Sequence, residues 1–202
     1  MRPDHQSHDH APPLIIHGGI PVGSVPAGSL VIASGRVVER SVGESVDGHC
    51  VEMDADGLVV APGFVDLQIN GGYGLDLATE PASMWELGRL LPQHGVTSFL
   101  PTIVSSRPAI VDEAIAALKA RPDGYRGAEP LGLHLEGPML NPAKAGAHEP
   151  SNLVAPNLGL VADWTRANGV ALVTLAPELP GAVEVIRHLR ANGVTVAVGH
   201  SA

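Results

Sequence analysis

The sequence predicts an α/β fold in which a small β module precedes a sheet of parallel strands. Short apolar bursts separated by glycine and polar turns fill residues 14–60, a pattern typical of strands and hairpins. From Ala61 onward, segments that alternate apolar and polar residues are interspersed with segments whose apolar residues recur every three or four positions. The alternation indicates strands and the longer period indicates helices, so their succession predicts βα units and a parallel sheet.

The first two predicted βα units cover residues 64–120. The first strand is residues 64–70, which place two sets of side chains on opposite faces: Val65, Leu67 and Ile69 against Asp66, Gln68 and Asn70. A helix is predicted over residues 82–91, because Pro81 precedes it and its apolar residues share one face. The second strand is residues 96–102, and the next helix runs from about Ser106 to Ala120.

The third predicted strand, residues 131–136, ends in the residue on which the site prediction depends. Its leucines alternate with Gly132, His134 and Glu136, and the strand stops at Gly137-Pro138 because proline cannot donate to a sheet ladder. Glu136 is therefore expected at the carboxyl end of a strand. In parallel α/β folds, ligands and catalytic groups collect at that edge.

The remaining sequence predicts two more strands. The spacing of Leu158, Val161 and Trp164 suggests a helix closed by Gly169, and the fully apolar residues 170–177 suggest a buried parallel strand. A helix over residues 183–189 then leads to a fifth strand, residues 194–200. A closed eight-unit barrel typically takes roughly 250 residues. The sequence therefore predicts only part of such a barrel.

Composition limits the classes of function. The formal net charge of −9 disfavours electrostatic binding of nucleic acid or of an anionic membrane surface. The sequence contains no apolar run long enough to span a membrane and no basic-then-apolar secretion signal. Cys50 is the single cysteine, so an intrachain disulfide is impossible. These features predict a cytoplasmic protein that binds neither nucleic acid nor a membrane.

Polar residues at the predicted strand ends suggest a metal site. Gln68 and Asn70 end the first strand, Glu136 the third and His200 the fifth. If these strands are parallel neighbours, their carboxyl ends meet on one face. Carboxylate and imidazole are normal ligands of zinc and similar divalent ions. Placement alone leaves two interpretations open: Glu136 and His200 share one ion, or Glu136 is an ordinary solvated residue at a strand end.

Three segments carry a resemblance to a known family: PGFVDLQIN, HLEGPMLNPAKAGAHEP, and VTLAPE followed by VAVGHS. From Ala61 to Ala202 the chain resembles the amidohydrolase superfamily and, within it, the N-acetylglucosamine-6-phosphate deacetylase family. The resemblance implies the N-terminal portion of a TIM-like (β/α)8 barrel over residues 61–202. It also implies an incomplete β-sandwich module over residues 14–60, preceded by a disordered tail over residues 1–13.

The resemblance also implies roles for individual residues. Glu136 and His200 match metal ligands of the family, and Ala147 and His148 match the loop that contacts the amino-sugar substrate, Ala147 through its backbone. Most of the superfamily has His-x-His where this chain has Gln68-Ile69-Asn70. Amides replace imidazole poorly as zinc ligands, so Gln68 and Asn70 would mark a vacant second-metal position. One divalent ion, zinc, is expected, while the third ligand and the aspartate acting as general base and acid are expected beyond Ala202.

The implied activity is metal-dependent hydrolysis of N-acetylglucosamine 6-phosphate to glucosamine 6-phosphate and acetate by a full-length homodimer. Residues 1–202 alone are expected to show no useful turnover, because the general base would be missing. Two alternatives remain at this stage. One is an amidohydrolase acting on a cyclic amide or another N-acyl sugar, and the other is a non-catalytic fragment or interaction module.

Overall fold

The computed structural model describes residues 12–22, 29–34, 36–41 and 49–202. The chain divides into two compact units, residues 1–62 and residues 63–202. The predicted disordered tail, residues 1–13, lies outside the described residues apart from its last two positions. No helix in the described ranges is both long and apolar enough to cross a membrane.

The first unit is built from short strands. They are β1 (Leu14–His17), β2 (Ile20–Pro21), β3 (Ser29–Ala33), β4 (Arg36–Ser41), β5 (Val51–Asp54) and β6 (Val59–Val60). Four of them form a sheet in the order β4-β3-β1-β5, while β2 and β6 pair separately. Ile16, Leu30 and Ala55 are buried at the centre of this unit. That further strands complete a sandwich here stays a prediction.

The second unit alternates strands with helices. The strands are β7 (Phe64–Ile69), β8 (Gly71–Gly72), β9 (Leu75–Asp76), β10 (Val96–Val104), β11 (Glu129–Pro130), β12 (Leu133–Glu136), β13 (Val170–Leu175) and β14 (Thr195–Val198). The α-helices are α1 (Met84–Leu90), α2 (Pro108–Lys119) and α3 (Ala182–Ala191). Short 3-10 helices cover Pro81–Ser83, Leu91–His94, Pro142–Lys144 and Pro150–Asn152.

Five of these strands form one curled parallel sheet in the order β7-β10-β12-β13-β14. β11 and β12 pair in turn with the same side of β10, so they are two parts of one strand interrupted at Leu131–Gly132. The sheet corresponds to half of a TIM-like barrel, which confirms the predicted fold class. All five carboxyl ends therefore lie along one edge.

The alternation within β12 separates two environments. Leu133 and Leu135 are almost fully buried and belong to the main apolar core. That core also takes in Met84 and Leu87 of α1 and Leu189 of α3. The intervening His134 and Glu136 are also buried, and the side chains that contact them are polar. The strand thus joins an apolar core on one face to a polar layer on the other.

The helix predicted from Leu158, Val161 and Trp164 is wrong. Residues 158–169 are a series of turns, although Val161 and Trp164 are buried as the spacing suggested. Asn157 Oδ1 accepts hydrogen bonds from the backbone N–H groups of residues 159 and 160, and Asn168 Nδ2 donates to the carbonyl of residue 163. Such side chains compete with helical hydrogen bonds for the backbone, and here they replace them.

Candidate metal centre

Glu136 and His200 meet at the carboxyl edge of the sheet. Glu136 is the last residue of β12, and His200 follows β14 by two positions, with β13 between the two strands. Glu136 Oε1 lies 3.2 Å from His200 Nε2, and the carboxylate is largely buried. His200 has a φ of 50°, a left-handed conformation that is uncommon for a residue with a side chain. The structure therefore brings together the two residues predicted to share an ion.

The hydrogen bonds of His200 determine which of its ring nitrogens carries the proton. Nδ1 lies 2.7 Å from the carbonyl oxygen of Lys144, and a carbonyl can only accept. In the neutral ring the proton is therefore on Nδ1, and the Nε2 lone pair faces Glu136 Oε1. An imidazole lone pair and a carboxylate oxygen repel each other at 3.2 Å unless a cation or a proton lies between them.

His148 has the opposite arrangement. Its Nδ1 accepts from the backbone N–H of Ser105 at 3.3 Å and lies 2.8 Å from Ser105 Oγ. The ring proton is therefore on Nε2, which lies 3.8 Å from Glu136 Oε1. Burial lowers the pKa of His148, and the Glu136 carboxylate opposes that shift only in part. His148 is thus a buried, neutral ring that presents a hydrogen-bond donor to the site.

The contact between Ser105 and His148 depends on a glycine. Gly137 follows Glu136 with a φ of 84°, a conformation that side-chain-bearing residues rarely adopt. A Cβ atom at this position would lie 2.3 Å from Ser105 Oγ, well inside van der Waals contact. Any other residue at 137 would therefore displace the serine hydroxyl from His148.

Gln68 and Asn70 have different surroundings. Gln68 Nε2 donates to Glu136 Oε2 at 2.9 Å, so this amide holds the carboxylate oxygen that faces away from His200. Asn70 is exposed, as Gln68 is, but in the described ranges its side chain forms no hydrogen bond to Glu136, His148 or His200. The structure therefore brings Gln68 into the site and leaves Asn70 at its margin.

Ala147 is exposed on the loop that carries His148. The same loop passes close to His200, since a Cβ at Gly146 would lie 3.5 Å from the His200 ring. An open cleft of about 470 Å³ lies beside His148, and Ala147, Ser105 and Arg107 also line it. The small residues of the loop leave its backbone accessible to a ligand next to the histidines.

Two residues near the site were not predicted from the sequence. One is Ser105, and the other is Glu178, which accepts from Asn141 Nδ2, Ser201 Oγ and the backbone N–H of Ala202. These bonds, led by the one from Asn141, lower the pKa of Glu178 to about 2. Glu178 thereby ties the loop after β12 to the segment that carries His200. Both residues follow strands at their carboxyl ends, so the rule that singled out Glu136 also applies to them.

Glu136, His148 and His200 together form a group with metal-ligand chemistry. One donor atom from each lies within 4.8 Å of the other two. Two ligands about 2.0–2.1 Å from a tetrahedral zinc ion are separated by roughly 3.3 Å. The 3.2 Å between Glu136 Oε1 and His200 Nε2 matches that separation. The donor set therefore fits a divalent ion.

Comparison with known proteins points to one family, although no protein-family model matches the chain. The N-acetylglucosamine-6-phosphate deacetylase of Danio rerio is 42% identical over 157 residues, which cover 74% of this chain and 39% of the relative. The structure of the enzyme from Pasteurella multocida superposes with a TM-score of 0.81 at 25% identity, covering 94% of this chain and 51% of that one.

A second structure is that of a Mycobacterium smegmatis N-acetyl-D-glucosamine-6-phosphate deacetylase mutant in complex with N-acetyl-D-glucosamine-6-phosphate. It superposes with a TM-score of 0.76 at 28% identity and covers 95% of this chain. The chain spans about two fifths of the length of the curated relatives it matches. By sequence and by fold, it is therefore homologous to the N-acetylglucosamine-6-phosphate deacetylases over this part of their length.

Proposed function

We propose that this chain contributes the metal-binding edge of a zinc-dependent deacetylase acting on N-acetylglucosamine 6-phosphate. The observation that carries the proposal is the pair of acceptor atoms, Glu136 Oε1 and His200 Nε2, facing each other at 3.2 Å. A cation between them removes their repulsion, and the strand order keeps both on the edge where barrel enzymes bind their ligands. The relatives of the chain are named for this reaction.

The protonation of each site residue indicates whether it would bind the ion or donate a hydrogen bond to the substrate. Glu136 and His200 offer lone pairs and would hold the ion, which when bound would polarise the acetyl carbonyl as a Lewis acid. His148 offers an N–H and would donate to the substrate, and the backbone of Ala147 would contact the sugar beside it. Gln68 holds Glu136 Oε2, so Oε1 stays directed at the ion.

His148 is also placed to be a third metal ligand, because its donor atom belongs to the same group of three. The hydrogen bonds at its Nδ1 favour the donor role, since they leave the proton on the nitrogen that faces the site. Catalytic zinc sites typically have three protein ligands and one open position. We therefore expect a third ligand, and the aspartate that acts as general base, from the rest of the full-length enzyme. The homodimer likewise stays a prediction.

A chimera tests the activity. Residues 63–202 would replace the matching part of the Danio rerio relative, and acetate release from N-acetylglucosamine 6-phosphate would be measured with zinc present. We expect turnover by the chimera and none by residues 1–202 alone. A zinc-loaded chimera that hydrolyses a cyclic amide but not the amino-sugar phosphate would overturn the proposed substrate.

Two variants of the chimera separate the roles of the histidines. His200→Gln should abolish both zinc binding and turnover. His148→Ala should lower turnover by about 10²–10³-fold, as expected for loss of one preorganised donor, with zinc content nearly unchanged. Equal loss of zinc in both variants would instead make His148 a ligand.

A further inference from the structure

We propose that Thr102 and His134 are positioning residues that direct Gln68 toward Glu136 and so keep one carboxylate oxygen free for the ion. This inference rests on the proposed metal site but goes beyond the residues that would contact the ion or the substrate. It begins with an irregularity in β7. Asp66 lies opposite Phe99 of β10, and Ile69 lies opposite Pro101.

The register shows that β7 contains a bulge. Between these two pairs, β7 advances three residues while β10 advances two, so β7 holds one extra residue between Asp66 and Ile69. A bulge leaves the ladder locally unpaired and redirects the side chains beside it. Gln68 lies within this bulge, on an exposed edge strand that pairs only with β10 among the described strands. Its direction therefore depends on what holds the bulge.

Thr102 supplies the missing ladder contact. Its Oγ1 accepts from the backbone N–H of Ile69 at 3.1 Å and donates to the carbonyl of Leu100 at 3.0 Å. Thr102 is fully buried in the middle of the sheet, so its hydroxyl is a fixed point. The residue after Gln68 is thus anchored by a side chain from the neighbouring strand.

His134 extends this network to the next two strands. Its Nδ1 lies 3.2 Å from Thr102 Oγ1, the hydroxyl that anchors Ile69. On the opposite side, Nε2 lies 2.8 Å from Thr174 Oγ1 of β13. Only 2% of His134 is exposed, and no buried side-chain polar atom in the described ranges lacks a partner. The network therefore runs without a gap from β13 to the bulge.

These contacts determine the surroundings of the Glu136 carboxylate, two residues after His134 in β12. With the adjacent Ile69 held, the Gln68 amide points at Glu136 Oε2 and donates to it at 2.9 Å. The amide occupies that oxygen, and only Oε1 faces His200. Residues that orient a ligand in this way typically change metal affinity by about 10–100-fold when removed.

The first experiment needs no metal. The chain has three glutamines, Gln6, Gln68 and Gln93, so selective ¹⁵N-glutamine labelling gives three side-chain amide signals. We expect the pair that disappears in Gln68→Met to be protected from hydrogen exchange. Thr102→Val, which keeps the shape but removes the hydroxyl, should abolish that protection, and Thr102→Ser should restore it. Retained protection in folded Thr102→Val would overturn the proposal.

A control variant separates positioning from general loosening. Ser83 is also buried, and its hydroxyl donates to the carbonyl of Glu80, outside the hydrogen bonds that connect Thr102, His134 and Gln68. Ser83→Ala should therefore leave the Gln68 amide protected. His134→Asn, which shortens the side chain that reaches Thr102, provides a second test within the network and should abolish the protection. If Ser83→Ala lost the protection equally, the effect would be general destabilisation of the fold, and the positioning role would be overturned.

The second experiment is a double-mutant cycle on zinc affinity, measured by competition with a chromogenic chelator. Thr102→Val and Gln68→Met should each weaken zinc binding by about 10–100-fold. The double variant should bind zinc no more weakly than the weaker single variant, because both changes remove the same hydrogen bond to Glu136. Additive losses would show that Thr102 acts independently of Gln68 and would overturn the proposal. Amide protection and zinc affinity do not depend on turnover, so both can still be measured if the deacetylase assay fails.

Discussion

Strands β7 and β12 carry the same alternating pattern but lie in opposite surroundings. β12 pairs with β10 on one side and β13 on the other, and all four of its residues are buried. β7 pairs only with β10 among the described strands, and Phe64, Val65 and Leu67 are 66%, 52% and 59% exposed. An alternating sequence pattern thus indicates a strand, but only the burial of its residues shows whether that strand is at the edge or in the interior of the sheet.

The difference extends to the polar residues at the two strand ends. Glu136 of β12 is held near the histidines by the backbone of its own buried strand. Gln68 of β7 is on an exposed strand and reaches Glu136 from a bulge held by neighbouring side chains. The interior strand is fixed by neighbouring strands on both sides, whereas the edge strand depends on side chains from other strands to fix its end.

The largest test of this contrast is truncation of one leucine in each strand. Leu135→Ala in β12 should lower the free energy of unfolding by about 2–5 kcal/mol, because it leaves a cavity in a packed core. Leu67→Ala in β7 should change it by less than about 0.5 kcal/mol, because most of that side chain already contacts solvent. Urea denaturation of both variants measures the difference. Similar losses would mean that Leu67 is covered in solution.

A second test compares the strand ends through zinc affinity. Glu136→Gln replaces a carboxylate ligand with an amide and should weaken binding by more than 100-fold. Gln68→Met removes only the hydrogen bond to that carboxylate and should stay within about 10–100-fold. Chelator competition on the two variants gives both values. A larger loss for Gln68→Met would make Gln68 itself a ligand.

A third test concerns the exposed apolar side chains of β7. A sheet edge with apolar residues favours association with another edge, and a lysine opposes it. Leu67→Lys should raise the concentration at which the chain self-associates by about tenfold, the equivalent of ~1.4 kcal/mol for one buried leucine contact. Light scattering across a dilution series measures this, with Leu67→Ile as the apolar control. Unchanged association in Leu67→Lys would place the contact elsewhere.

The smallest expected effect is the pH dependence contributed by Glu178. Its pKa in the folded protein, about 2, lies below the ordinary value of 4.5. Its contribution to stability is therefore complete above pH 4.5 and is lost as the pH falls from there toward 2. The difference in urea midpoint between the parent chain and Glu178→Gln should shrink through that window. The effect is small because Glu178 is exposed to solvent. A difference that stays constant across the window would show that the charge of Glu178 does not contribute to stability.

Local patterns in the sequence predicted the five strands, and strand ends together with the family resemblance predicted that Glu136 and His200 would meet. The turns of residues 158–169 were missed, because apolar spacing ignores side chains such as Asn157 and Asn168 that compete for the backbone. Ser105 was missed for a different reason. Its partner His148 is 43 positions away, and no local pattern reports which nitrogen of a distant ring will be protonated.

Gly137 limits how far this arrangement can be transferred. A protein engineer who grafts the glutamate and the two histidines onto another barrel would reproduce the donor atoms but not their protonation. Without the space left by the missing Cβ, the Ser105 hydroxyl could not reach His148 Nδ1, and only the 3.3 Å hydrogen bond from the Ser105 backbone N–H would keep that lone pair turned away from the ion. The graft would then hold His148 less firmly in the orientation of a substrate donor. The smallest transferable unit of the site therefore includes a residue that contributes no side-chain atom.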